Sequence, residues 1–403
     1  MMAFAAIFLV TGVAFGQAIK NGGTINNTGP MSVATFQNYK GANPGKLNNT
    51  STVTVSSTFD NSGFATDSVN NNAGGIIDLT GAAGTYTNGA GATVNNTATS
   101  TMKLTNTITN GAGAITTTNG TFEYKSVLAQ TVFSGVAGST YGNLTITGAS
   151  TKSLGGTITV GTQVTINVSA TLADGAANTL TLNGASPITG TGTLTADGTT
   201  IYNGAAQSVF GATYNNLTLQ NGNTKTAGGG VTVNGALTSA ASTTFDLSTN
   251  SLITGASSSI SNNASGIIRT QGDVTFGAVH TIVGTFIYEK TTATQSVGTA
   301  NYTDLTMSGG AGATGQKNFP AGTVGIAGTY SVSGANRSYG SSTVAYNNTS
   351  AQSVLGGESY NNLTMSNATD TSAANYKTAS ANLTVGGALS IAANSTLDMG
   401  SNS

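Results

Sequence analysis

One motif returns four times in this chain and constrains everything else about it. The first copy reads Gly120-Thr121-Phe122-Glu123-Tyr124, then Gln130-Thr131-Val132, then Tyr141-Gly142-Asn143-Leu144-Thr145-Ile146. The second runs from Gly198 to Tyr202, through Gln207-Ser208-Val209, to Tyr214-Asn215-Asn216-Leu217-Thr218-Leu219. The third runs from Gly284 to Tyr288, through Gln295-Ser296-Val297, to Tyr302-Thr303-Asp304-Leu305-Thr306-Met307. The fourth has Tyr346, Gln352-Ser353-Val354 and Tyr360-Asn361-Asn362-Leu363-Thr364-Met365. Each copy then passes a lysine (Lys152, Lys225, Lys317 or Lys377) and enters an alternating strand such as Thr157-Ile158-Thr159-Val160. The opening tyrosines stand 78, 86 and 58 residues apart, so whole strand-turn elements come and go between copies.

A two-sheet sandwich fixes its strand count and does not tolerate such changes. A parallel β-solenoid does, because each coil touches only its neighbours. The expected fold is therefore all-β, a solenoid of stacked short strands. Leu, Val and Ile would stack inside, with Thr and Asn outside or at turns. At about 20 residues per coil the chain supplies roughly 15–20 coils. The alternative is a string of small β-sandwich repeats, and the irregular period counts against it.

Composition agrees. The chain holds 72 Thr, 56 Gly, 42 Asn and 41 Ser in 403 residues, with only 6% charged. Disorder normally brings high charge and few β-branched residues, whereas Thr, Val and Ile suit a pleated surface. Gly and Asn supply the positive φ of tight turns. Residues 20–118 lack the Tyr–Gln signature but keep this grammar. Asn72-Ala73-Gly74-Gly75-Ile76-Ile77-Asp78 recurs loosely as Asn263-Ala264-Ser265-Gly266-Ile267-Ile268-Arg269.

Three regions follow. Residues 1–16 read as an export signal: Ala3 to Phe15 is almost wholly apolar, and Ala14-Phe15-Gly16 makes a small-x-small cleavage pattern. No Lys or Arg precedes the apolar run, which departs from the usual pattern. Residues 17–118 read as solenoid coils that can include an N-terminal cap. Residues 119–403 read as solenoid with the four repeat units, breaking off in repeat-like sequence at Met399-Gly400-Ser401-Asn402-Ser403.

The pattern Tyr202, Gln207-Ser208-Val209, Tyr214-Asn215-Asn216-Leu217-Thr218-Leu219, Lys225, Val231-Thr232-Val233-Asn234-Gly235-Ala236-Leu237 resembles the repeats of large Gram-negative surface proteins. These are the adhesin-like, filamentous-haemagglutinin-like and autotransporter-passenger proteins. The resemblance covers residues 119–403 and, more loosely, 20–118. It implies a right-handed parallel β-helix and a cell-surface or extracellular place. It carries no catalytic residues to transfer.

The charge pattern narrows the partners. Net charge is −1. No basic patch offers counterion release to a nucleic acid, and no polybasic stretch suits an anionic membrane. After removal of the signal no transmembrane helix is expected. Cys is absent, which removes disulfides and thiolate metal sites. No EF-hand or calcium nonapeptide is present.

Several residues invite a chemical reading. Asp174 and Asp197 each precede Gly and lie 23 residues apart, about one coil, so two carboxylates could share acid and base work. Asp-Gly is also an ordinary turn pair. His280 is the only histidine and sits between Val279 and Ile282 like a strand residue. Gly310-Ala311-Gly312-Ala313-Thr314-Gly315 matches a dinucleotide fingerprint in form, but Gln316-Lys317-Asn318-Phe319-Pro320 cannot open the helix it needs. Gly41 to Leu47 contains Gly-Lys but lacks the Ser or Thr of a phosphate loop. Asn143, Asn216 and Asn362 begin formal glycosylation sequons, yet Asp304 takes that place in the third unit, which favours a turn-to-strand role. The repeated lysines are expected to keep strands soluble or to guard edges. Stacked Thr could form an ice- or polysaccharide-binding face.

The expectation is thus a non-enzymatic extracellular stalk or adhesin region, with no catalytic, cofactor or metal residue assigned. Its partners would be a host, surface or polysaccharide ligand, or further copies stacked end to end. A carbohydrate-active β-helix enzyme and a self-assembling filament are the alternatives.

Overall fold

Among the described residues, strands pair with strands about one coil away along the chain. The computed structural model describes residues 8–10, 13–14 and 18–403, apart from 39–43, 64–65, 82–84, 107, 111–113, 135–138, 310–314 and 367–375. These residues form strands and turns and no helix. Every strand pair with a described register is parallel, from Ile25 on Leu47 to Leu363 on Leu389. The architecture is a β-solenoid of about 15 turns. The sandwich alternative fails on this point, since sandwiches are built from antiparallel sheets.

Coil length varies. Gln207 pairs with Lys225, 18 residues on, while Phe59 pairs with Tyr86, 27 residues on. Registers are set by period-2 alternation, because a one-residue slip would turn the buried set outward. The strand Thr52–Asn61 shows how: Val53, Val55, Phe59 and Asn61 are buried, and the alternation breaks at Ser56-Ser57 where the strand bends.

Two compact units, Met1–Ile201 and Tyr202–Ser403, each have such a core. In the first, Val53, Ile77, Met102, Phe122, Leu144 and Val164 stack in one interior column. Val55, Leu79, Leu104, Tyr124, Ile146 and Ile166 form the next. In the second, Phe245, Ile268, Phe286, Leu305 and Tyr330 stack in register. Burying each such side chain contributes about 1.5–3 kcal/mol. These columns hold the solenoid together and need only aliphatic or aromatic residues at one parity.

Residues 20–118 belong to the same architecture, and their coils are joined by asparagine. Asn27, Asn49, Asn71 and Asn96 are buried in one column, each amide donating to the next side-chain oxygen at 2.7–2.8 Å. A second buried column runs Asn21, Asn38, Asn61 and Asn88, bonded at 2.7–2.9 Å. A third, half-buried column runs Asn26, Asn48, Asn70 and Asn95 at 2.7–3.0 Å. An amide donates and accepts at once, so identical residues can chain indefinitely along a parallel stack.

Within the stretch read as an export signal, Phe8–Val10 pairs with Thr24–Asn27, and Val13–Ala14 with Met31–Asn38. The rest of residues 1–16 lies outside the described residues, as do 41–43 of the Gly-Lys segment and 310–314 of the glycine-rich match.

Candidate functional site

The repeated Tyr, Gln, Tyr and Lys converge on two corner residues in every copy. In the first copy these are Ser126 and Phe133. The Phe133 N–H donates to Tyr124 Oη at 3.0 Å, and Tyr141 Oη donates to the Phe133 carbonyl at 2.5 Å. The two phenols are 3.0 Å apart. Each hydroxyl has one proton. Tyr141 spends its proton on the carbonyl, so Tyr124 donates to Tyr141. The result is a closed ring of three bonds around one residue. Both rings are fully buried, and burial pushes the Tyr124 hydroxyl up to about 12.

At Ser126 the N–H donates to Gln130 Oε1 at 3.3 Å, while Lys152 Nζ donates to the carbonyl at 2.8 Å. Gln130 and Lys152 are register partners on successive coils. Gln130 Nε2 reaches back to the carbonyls of Leu104 and Asn106 at 3.0 and 2.8 Å. One amide and one ammonium thus tie three coils.

The other copies repeat the grip on both corner residues. Phe210, Gly298 and Leu355 are gripped by Tyr202–Tyr214, Tyr288–Tyr302 and Tyr346–Tyr360. Gly204, Lys290 and Asn348 are gripped by Gln207–Lys225, Gln295–Lys317 and Gln352–Lys377. Corners break the strand ladder, and a buried backbone group without a partner is costly. The motif supplies those partners.

This overturns the expected role of the lysines. Lys152, Lys225, Lys317 and Lys377 are each 0% exposed, and no described ion pair includes them. Their ammonium groups rest on backbone carbonyls alone; Lys225 has those of Gly204, Ala205 and Gly222 at 2.5–3.0 Å. Burial lowers all four below the ordinary lysine range, Lys317 to about 8.

No protein-family model, curated protein or solved structure matches this chain. The chemistry must therefore be read from the residues themselves.

Asp174 and Asp197 are neighbours on successive coils, where the Asp197 charge and backbone N–H both act on the Asp174 carboxylate, but only Asp197 meets solvent. Asp174 is 0% exposed and accepts from the Gly198 N–H at 2.8 Å and from Thr200 Oγ1 at 3.4 Å. Burial raises it, and the Gly198 bond opposes the rise. Asp197 is exposed. Asp67 does the same work as Asp174 in an earlier coil, accepting from the Gly45 N–H at 2.7 Å. A carboxylate enclosed this way braces a turn.

His280 is a strand residue, as expected, 4% exposed. Among the described residues no three His, Asp or Glu gather to hold a metal ion. The sequon position has a backbone role in three units: Asn216, Asp304 and Asn362 each accept an N–H from the following coil, at 3.0, 2.8 and 2.9 Å. Asp can replace Asn there because the bond common to the three units uses the acceptor oxygen; Asn362 also donates its amide to the Ser342 carbonyl at 3.4 Å.

Some outward columns are neutral or charge-balanced. One column reads Ser32, Thr54, Asp78, Lys103, Glu123, Thr145, Thr165 and Thr189. Its charges are paired: Lys103 with Glu123 at 3.5 Å, and Asp78 with Lys125 at 2.5 Å. In the second unit Arg269 stands between Asp246 and Glu289 at 3.0 and 3.4 Å. A sharper cluster is buried there: Arg337 forks onto Glu358, which also accepts from Tyr339 at 2.8 Å. Among the described residues no helix is long and apolar enough to cross a membrane.

Proposed function

We propose that this chain is a non-catalytic structural and adhesive solenoid of an exported surface protein. One observation carries the reading. The motif's reactive-looking side chains are all enclosed and bound to backbone groups of the same chain, so the recurring residues build coils and the outward Thr, Ser and Asn columns are what the coils present. The apolar segment Ala3 to Phe15 and the resemblance to adhesin-like repeats support export and a surface place. The burial of Asp174 weighs against the carbohydrate-active alternative, whose acid would have to meet solvent.

The test immobilises the purified chain on beads and scores retention on polysaccharide- and protein-coated surfaces. Retention is expected, and it should fall when Thr145, Thr165 and Thr189 are changed together to Ala. Polysaccharide cleavage by the chain would overturn the non-catalytic part. Absence of retention on every surface would overturn the adhesive part.

A further inference from the structure

His280 is the single imidazole of the chain, and it is buried. Its Nε2 lies 2.8 Å from Thr254 Oγ1 and 3.4 Å from Ser258 Oγ, and its edge meets Phe276 at 5.1 Å between centroids. The Ser258 proton is spent on the Gly255 carbonyl at 2.6 Å. Thr254 Oγ1 accepts the Gly277 N–H at 3.3 Å, which leaves its own proton for His280. With Nε2 as the acceptor of that proton, the imidazole joins the turn at Gly255 to the turn at Gly277.

We propose that His280 is an acid-released latch of the Tyr202–Ser403 unit, with protonation of its ring opening the corner formed by residues 254–258 and 276–280. A proton on Nε2 turns acceptor into donor, and the Thr254 hydroxyl loses its place to donate. The new charge is enclosed and has no counter-ion. The strands Leu252–Thr254, Ser259–Asn262 and Val274–Phe276 contain no ionisable residue. Of the acids nearest along the chain, Asp273 faces Lys290 at 3.9 Å and Glu289 faces Arg269 of the paired strand Ile267–Thr270 at 3.4 Å, while Asp304 accepts from the Thr329 N–H. On the paired strand Ala300–Ser308, Tyr302 is engaged with Tyr288. Burial alone acts on His280 and lowers it. The unfolded corner therefore takes up a proton before the folded one, and stability falls as pH drops below the ordinary histidine value. The strand partners downstream are anchored by the third Tyr–Gln–Lys clamp, so release is local.

The experiment is hydrogen exchange on the full chain at about pH 7.5 and about pH 5, corrected for intrinsic rates. Protection of the segments 252–258 and 276–283 should fall in acid, by up to about tenfold per pH unit across the linkage window. In His280→Gln, which has no proton to gain, the acid-dependent loss should vanish. Unchanged protection in the native chain, or equal acid sensitivity in the variant, overturns the proposal. NMR titration of the native imidazole gives an independent reading: a midpoint below 6.5 is expected, and one above it overturns the proposal.

Discussion

Gln130 and Lys152 face each other in register on successive coils and hold the two backbone polar groups of one residue, Ser126, at 3.3 and 2.8 Å. The pair acts as a unit, because each leaves half of Ser126 exposed to the interior when removed. Lys152→Met should cost about 1–3 kcal/mol, the range for a buried carbonyl left without a donor. Gln130→Leu should cost a similar amount. The double variant should cost less than the sum, with a coupling of about 0.5–3 kcal/mol. Urea unfolding of the four proteins measures this; strict additivity would show that the two side chains act separately.

The buried lysines and tyrosines predict an alkaline stability optimum. Lys317 sits at about 8 when folded and near 10.5 when unfolded, and Lys152, Lys225 and Lys377 shift the same way. Above about pH 8 the unfolded chain holds more of these protons, so stability rises with pH. The phenols oppose this higher up. Tyr124 and Tyr202 are raised from 10.0 to about 12 by burial, so the unfolded chain loses their protons first and stability falls above about pH 10. Thermal midpoints should therefore peak between about pH 8 and 10, and Lys317→Met should flatten the rising limb. A monotonic fall from pH 7 would contradict the assignment.

Two tyrosines should respond oppositely to loss of the hydroxyl. Tyr86 is buried against Phe59, with ring centroids 5.3 Å apart, and its Oη has no hydrogen-bond partner among the described residues. Tyr86→Phe removes a buried, unsatisfied group and should be neutral or stabilising by about 1 kcal/mol. Tyr124→Phe opens the ring around Phe133 and should cost about 1–3 kcal/mol. Unfolding midpoints of the two variants, measured side by side, check the sign.

Much of this was legible at the level of parity. Every motif glutamine stands two residues before a valine, as in Gln130 and Val132, and every motif lysine two before an apolar residue, as in Lys152 and Leu154 or Lys317 and Phe319. In a strand those positions share a face, so both belong inside. Reading the lysines as solubilising followed their charge and neglected their parity. The asparagine columns had a signal too: Asn26-Asn27, Asn48-Asn49, Asn70-Asn71 and Asn95-Asn96 recur at intervals of 22, 22 and 25. The tyrosine pairs had none. Tyr124 meets Tyr141 across 17 residues and Tyr202 meets Tyr214 across 12, and only the path of the corner between them brings the hydroxyls together. Asp174 and Asp197 are the converse case, a spacing match that stood beside the ordinary turn reading of Asp-Gly. Their spacing matched a coil, but each lies on its own side of the pleat, so one faces in and the other out.

The asparagine column gives a further expectation. Asn71 accepts from Asn49 at 2.8 Å and donates to Asn96 and to the Thr101 carbonyl at 2.8 and 3.0 Å. Its replacement by Leu leaves the Asn49 amide and the Asn96 oxygen short of partners in a dry interior, at a cost of about 2–4 kcal/mol. The neighbouring half-buried column should tolerate the same change better, because water can replace the lost bonds of Asn70. Asn70→Leu is expected to cost less than about 1 kcal/mol. Hydrogen exchange at residues 49–53 and 96–102 reads the difference directly: protection there should collapse in Asn71→Leu and persist in Asn70→Leu. Equal effects of the two substitutions would mean that the buried column contributes no more to the coil stack than its solvated neighbour.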